Sequence, residues 1–146
     1  MKEALRTIEQ TTRIAASPET VWKFWTDPVL LAEWFGTRAT ADPRPGGTLT
    51  AMVSESGTMI GEFVELDPPH RLVFTFGWSR CSPGTPLAPG STLVEVTLTA
   101  DGPDTIVRLR HSQMPDTHER SHRDGWAICV GKRLVDAVAL ATSVDV

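Results

Sequence analysis

The sequence predicts an α+β fold in which a curved antiparallel sheet is covered by one long C-terminal helix. Between residues 37 and 111, apolar and polar residues alternate with period two and are separated by short turns, as in consecutive antiparallel strands. Residues 121–142 instead carry one apolar helix stripe, formed at four-residue spacing by Trp126, Val130, Leu134 and Val138. A sheet with one apolar face needs such a helix to cover it, and we expect a cavity between the two.

The first elements are a strand and two short helices. Residues 5–15 alternate as a strand. Ser17-Pro18 and Asp27-Pro28 each predict a helix start, because Ser or Asp can accept a hydrogen bond from the first turn and Pro fits its first position.

Six further strands are expected before the long helix. Their inward faces are read from the alternation, for example Leu72, Phe74, Phe76 and Trp78 opposite Val73 and Thr75. Residues 79–90 carry three prolines and two glycines and predict a long loop. The strands are predicted at residues 37–42, 48–54, 58–66, 71–78, 91–99 and 105–111.

The long helix has two candidate start points. Ser121 with Asp124 resembles a capping box, whereas Pro115 and Asp116 would also suit a first turn. Gly131 lies inside the helix and costs about 1 kcal/mol relative to Ala. Such a cost indicates either close packing at this position or space left for another group.

Composition narrows the class of protein. The length of 146 residues fits a single domain over residues 1–146, and the net charge of −4 without a basic run argues against a nucleic-acid partner. There is no apolar run long enough for a membrane span, and the first ten residues are too polar for a signal peptide, so we expect a cytoplasmic protein. Cys81 and Cys129 form no metal or redox motif and are expected to be free thiols. The candidate partners are a small hydrophobic molecule and a second copy of this chain.

Several motifs, taken in order, resemble a known superfamily. They are Ser17-Pro18 through Asp27-Pro28 with Trp22 and Trp25, then Trp34-Phe35-Gly36, Asp42 to Gly47, Gly61 to Leu72, and Gly125-Trp126. This ordered set resembles the START-like (SRPBCC) helix-grip domains, and within them the group related to the activator of Hsp90 ATPase homologue 1. The resemblance covers nearly the whole chain and implies the helix-grip fold. It does not fix the function, because the superfamily includes lipid carriers, polyketide cyclases, hormone receptors and co-chaperones.

In this fold class, the cavity is lined by side chains of the sheet and of the long helix. Five tryptophans without a tyrosine indicate a large apolar interior or a pocket wall. We predict Trp34 and Trp126 at the helical walls and Trp78 at the mouth. The candidate ligand-binding residues are Trp34, Phe35, Glu62, Phe74, Phe76, Trp78, His111, Trp126, Val130 and Arg133.

Two of these residues are candidate acid–base groups. His111 ends a strand on its apolar face, where it is either a general base or a hydrogen-bonded core residue. Glu62 either points inward with a raised pKa or is turned outward by a bulge.

Arg133 is a candidate of a different kind: its side chain could meet an anionic group of a ligand or extend into water.

A metal and a cofactor are not expected. His118 and His122 have the spacing of two metal ligands on a helix, but a convincing third ligand is missing, so they are interpreted as solvated residues of the helix start. Three functions remain: a binding protein for a small hydrophobic or aromatic ligand, an enzyme of the polyketide cyclase type using His111 or Glu62, and an Hsp90 co-chaperone. The last ranks lowest, because 146 residues leave no room for the N-terminal domain of the eukaryotic activators. The enzyme ranks second, because the sequence lacks spacing typical of a catalytic site.

Overall fold

A computed structural model describes residues 4–54, 57–78 and 87–143. Within these ranges, the order of strands in the sheet is β1-β7-β6-β5-β4-β3-β2, and all neighbours are antiparallel. The strands are β1 (Leu5–Ile14), β2 (Arg38–Ala41), β3 (Thr48–Ser54), β4 (Gly57–Asp67), β5 (Arg71–Trp78), β6 (Thr92–Asp101) and β7 (Asp104–Pro115). Helices α1 (Pro18–Thr26) and α2 (Pro28–Leu31) lie between β1 and β2, and a long helical segment follows β7. The predicted helix-grip fold is confirmed.

Both short helices begin as their sequences predict. The Ser17 hydroxyl oxygen accepts a hydrogen bond from the Thr20 backbone N–H at 3.3 Å, and the Asp27 carboxylate accepts one from the Val29 N–H at 2.9 Å. After α2 the chain turns at Gly36, whose φ is +81° and whose missing Cβ would lie 2.4 Å from the Met52 carbonyl oxygen. Only glycine fits this turn between α2 and β2, where the chain packs closely against β3.

The long helical segment begins at the earlier of the two predicted start points. It consists of α3 (Asp116–Ile128), a π-helical turn (Cys129–Arg133) and α4 (Leu134–Ser143). The Asp116 backbone N–H donates to the Ala4 carbonyl oxygen at 2.9 Å, and the Asp116 carboxylate pairs with Arg6 at 2.9 Å. Asp116 is thus tied to β1, whereas Ser121 lies one turn inside the helix.

The π-helical turn explains the four-residue spacing of the apolar stripe. In a regular α-helix, each four-residue step overshoots a full turn by about 40°, so the stripe would rotate away from the sheet. A π turn contains more residues per turn and removes much of this drift. Trp126, Val130, Leu134 and Val138 are accordingly all buried.

Gly131, within the π turn, is explained by close packing. A Cβ at this position would lie 3.2 Å from the side-chain nitrogen of Gln10 on β1. The absent side chain therefore lets the helix approach the sheet edge.

The core lies between the inward face of the sheet and the helices. Its largest fully buried side chains include Trp25, Trp34, Phe63 and Phe74.

Residues 79–86 of the expected loop, which include Cys81, lie outside the described residues. Among the residues that are described, there is no helix long and apolar enough to cross a membrane.

Candidate functional site

An apolar pocket of about 260 Å³ lies between the end of β5 and the first half of the long helical segment. β5 supplies Phe76 and Trp78, because residues with this spacing share the inward face of a strand. Among the residues that the structure describes, no carboxylate, lysine or arginine side chain lines this pocket. The lining side chains belong to Phe35, Val53, Phe76, Trp78, Ser121, His122, Trp126 and Cys129, and the lining is completed by the backbone of Gly125.

Trp126 forms the inner wall of the pocket, and His111 on β7 fixes its orientation. The indole N–H donates to His111 Nδ1 at 2.9 Å. The Trp126 ring also meets Phe35 edge-on, with centroids 5.5 Å apart, and lies 5.7 Å from the Phe76 centroid. Trp126 therefore offers its apolar ring to the pocket while its polar N–H is already satisfied.

The hydrogen bonds of His111 define its tautomer. Since Nδ1 accepts from Trp126, the proton must reside on Nε2, which donates to Thr92 Oγ1 at 2.7 Å. The Thr92 hydroxyl in turn donates to the Phe76 carbonyl oxygen at 2.7 Å. Burial, with a smaller effect of His122, lowers the pKa of His111 to about 3. The imidazole is therefore neutral near pH 7.

A second tryptophan and histidine pair connects β5 to α3. The Trp78 N–H donates to His122 Nε2 at 3.0 Å, and His122 Nδ1 lies 2.9 Å from the His118 carbonyl oxygen. The proton therefore lies on Nδ1 and is donated to that carbonyl. Burial lowers the pKa of His122, although the bond to the His118 carbonyl opposes this shift. Both pocket tryptophans thus donate to a neutral imidazole.

Ser121 and Cys129 complete the polar part of the wall. Ser121 Oγ lies 3.2 Å from His122 Nδ1, but Nδ1 carries a proton and cannot activate the hydroxyl. Burial raises the pKa of the Cys129 thiol, although nearby Arg133 opposes the shift, so this thiol is a weaker nucleophile than an exposed one.

The structure brings four of the sequence candidates together around the pocket: Phe35, Phe76, Trp78 and Trp126. His111 lies directly behind them, fully buried. Of the two alternatives for His111, general base or hydrogen-bonded core residue, the structure shows the second, because both ring nitrogens form hydrogen bonds, one with Trp126 and one with Thr92.

Three other candidates lie in the core instead of the pocket wall. Trp34 donates from its indole N–H to the Phe24 carbonyl oxygen at 2.8 Å and packs edge-on against Trp25, with centroids 4.7 Å apart. Phe74 lies two residues deeper on β5 than Phe76 and contacts Phe63 and Trp25. Trp34, Phe74 and Val130 are all completely or almost completely buried.

Glu62 does not point into the pocket. Met59 and Phe63 are buried on the inward face of β4, and Glu62 lies on the opposite, exposed face with Val64. The backbone N–H of Glu62 donates to Thr75 Oγ1 on the neighbouring strand β5 at 3.0 Å. The inward placement of Glu62 is therefore wrong.

Arg133 is also outside the pocket. It is exposed and lies beside a different surface groove, together with Glu33 and Asp136. The π turn changes the angular phase of the helix between Trp126 and Arg133, so the arginine does not reach the rim.

The sequence analysis interpreted His122 as a solvated residue of the helix start, whereas the structure places it half-buried in the pocket wall. It lies four residues before Trp126 and therefore continues the apolar stripe by one turn, a signal that could have placed it on the inward face. Its half-buried ring packs edge-on against Phe76, with centroids 5.9 Å apart.

The described part of the chain contains no group of three His, Cys, Asp or Glu side chains arranged to hold a metal ion.

The curved sheet, the long helical segment and the pocket between them define a helix-grip protein. The chain belongs to the family described as activator of Hsp90 ATPase homolog 1-like protein, which matches residues 15–139. Among proteins with curated functions, none matches the sequence.

Three solved structures illustrate the similarity. An AHSA1-like protein from Rhizobium etli is 36% identical, with a TM-score of 0.71 over 93% of this chain and 83% of that one. A protein in the dynemicin biosynthetic locus is 23% identical, with a TM-score of 0.76 over 91% of this chain and 47% of that one, so the present chain spans about half its length. An HSP90 activator from Plasmodium falciparum is 21% identical, with a TM-score of 0.68 over 86% of this chain and 91% of that one. The last two similarities show the fold alone.

Proposed function

We propose that this protein binds a small, uncharged, largely apolar molecule in the pocket between β5 and α3. The observation that carries the proposal is the pairing of Trp78 with His122 and of Trp126 with His111. Each indole N–H is satisfied within the protein, so the rings can present apolar surface to a ligand without leaving a donor unpaired.

The size of the pocket favours a molecule with one or two aromatic rings. Apolar cavities of roughly 150 Å³ take up benzene, and drug-sized ligands occupy about 300–1,000 Å³. A volume of about 260 Å³ lies between these. The edges and faces of Phe35, Phe76 and the two tryptophans suit stacked or edge-on contact with a flat ring.

The described lining residues include no charged side chain, and this favours an uncharged ligand. A buried carboxylate or ammonium group would lose its hydration without gaining a partner of opposite charge. Arg133, the sequence candidate for an anionic group, lies beside another groove.

The alternative functions have less support. His111 has no free ring nitrogen for a substrate, and the exposed Glu62 lies on the outer face of the sheet, so neither is placed for acid–base chemistry in this pocket. The similarity to an HSP90 activator is a similarity of fold. A homodimer, a cytoplasmic location and a single domain over residues 1–146 stay predictions from the sequence.

Calorimetric titration with 2-naphthol, an uncharged two-ring probe, tests the proposal. Wild-type protein should bind it with a negative heat-capacity change, because apolar surface is buried. Trp78→Leu should weaken binding at least about tenfold, equivalent to about 1.4 kcal/mol. Trp22→Leu is the matched control, since Trp22 is also half-buried but lies on α1 away from the pocket.

The comparison between the two variants decides the outcome. Similar losses of stability with a loss of binding only in Trp78→Leu would support the pocket. Absence of binding by wild-type protein to 2-naphthol, together with no small molecule retained in native mass spectrometry, would refute the proposed function. Equal weakening by Trp22→Leu would place the binding site elsewhere.

A further inference from the structure

Gly125 is the pocket-lining residue that has no side chain. It lies in α3 and is half-buried, and a Cβ built on it meets no heavy atom of the described residues within 4 Å. The space beside it is therefore open, and it adjoins the pocket that Gly125 lines.

The backbone does not require glycine at this position. Gly125 is inside a regular α-helix and is not among the residues with positive φ. Glycine in a helix interior is less favourable than alanine, because its unfolded chain has more freedom to lose. The glycine therefore reduces stability without a conformational reason.

Gly131 offers a direct contrast in the same helical segment. A Cβ there would approach the Gln10 side-chain nitrogen to 3.2 Å, and Gly131 does not line the pocket. Packing explains the absent side chain of Gly131, whereas a Cβ at Gly125 would not be crowded by any described residue beyond its own chain neighbours and helix backbone.

We infer that Gly125 sets the size limit of the ligand, and that its missing side chain provides the space for a second ring. This inference rests on the proposed function. Ser121, His122, Trp126 and Cys129 surround Gly125 on the same helix face. An alanine methyl group would project among them and overlap a ligand that fills the pocket, while a ligand with one ring could shift aside.

Calorimetry with 2-naphthol and phenol tests this size limit in wild-type protein, Gly125→Ala and Gly131→Ala. Gly125→Ala should raise Tm by about 2–4 °C. The same variant should weaken 2-naphthol binding at least about fivefold, as expected for overpacking by one methyl group, and leave phenol binding within about twofold. Gly131→Ala should keep the wild-type ratio of the two affinities.

Each result decides the inference. Higher Tm with selective loss of 2-naphthol binding supports it, because a purely structural glycine would not combine these two changes. Unchanged 2-naphthol binding, equal weakening of both probes, or a lower Tm in Gly125→Ala would overturn it while the pocket proposal stands. If wild-type protein binds neither probe, the size limit is overturned, and the proposed function fails with it when native mass spectrometry also detects no retained small molecule.

Discussion

His111 should make the stability of this protein fall in mildly acidic solution. Its pKa is lowered from 6.5 to about 3 in the folded protein, chiefly by burial. Between these values, the unfolded chain binds a proton at this residue that the folded protein does not, so folding is disfavoured as the pH decreases. The full stability is present above about pH 6.5 and is lost progressively toward pH 3.

The magnitude follows from the size of this window. One pKa unit corresponds to about 1.36 kcal/mol, and pH 5 lies about 1.5 units below the unfolded pKa. His111 should therefore reduce the free energy of unfolding at pH 5 by about 2 kcal/mol relative to pH 8. This is a substantial part of the roughly 5–15 kcal/mol that stabilises a typical domain.

Urea unfolding at several pH values between 5 and 8 measures the effect in wild-type protein and in His111→Gln. Glutamine does not titrate, and its amide can both accept a hydrogen bond and donate one. His122, whose pKa is also lowered by burial, remains in both proteins and its effect cancels in the comparison. Wild-type protein should lose about 2 kcal/mol more than the variant between pH 8 and pH 5. Parallel pH dependences would show that His111 is not held as a neutral, desolvated group.

Two further predictions concern residues away from the pocket wall. Trp34→Phe should lower the free energy of unfolding by about 2 kcal/mol, because the buried hydrogen bond to the Phe24 carbonyl oxygen is lost. Calorimetry should nevertheless show unchanged 2-naphthol binding. A parallel loss of affinity would contradict the core position of Trp34. Ser17→Ala should lower the free energy of unfolding by about 1 kcal/mol, since the N-cap of α1 loses its acceptor, and a urea midpoint equal to that of wild-type protein would show that this bond does not stabilise the helix.

The fold could be predicted because each of its elements has a local signal. The strand alternation depends only on the two faces of a sheet, and Ser17 and Asp27 begin their helices through bonds to residues two or three positions away. The start of the long helical segment was less certain. Asp116 is held there by Ala4 and Arg6, contacts that are distant in sequence and leave no local pattern.

The site was only partly predictable, since periodicity gives the inward face but not the depth along it. Phe74 and Phe76 share one face of β5, yet only Phe76 reaches the pocket. Glu62 was ambiguous for another reason: β4 has apolar residues on both faces, and the exposed Val64 resembles the buried Phe63 in sequence. His122 depends on Trp78, 44 residues away, so its bond has no local signal at all.

The rings that line the pocket are held in place by other side chains of the protein, so the proposed function starts from a preformed pocket. Phe35 links the core to the wall, with its centroid 5.3 Å from Trp34 and 5.5 Å from Trp126. Trp126 is further fixed by His111, and Trp78 by His122. Side chains that are already ordered lose little further conformational entropy on binding, so more of the gain from burying apolar surface remains as affinity. Under the proposed function, the role of the two histidines is to hold the tryptophans in place.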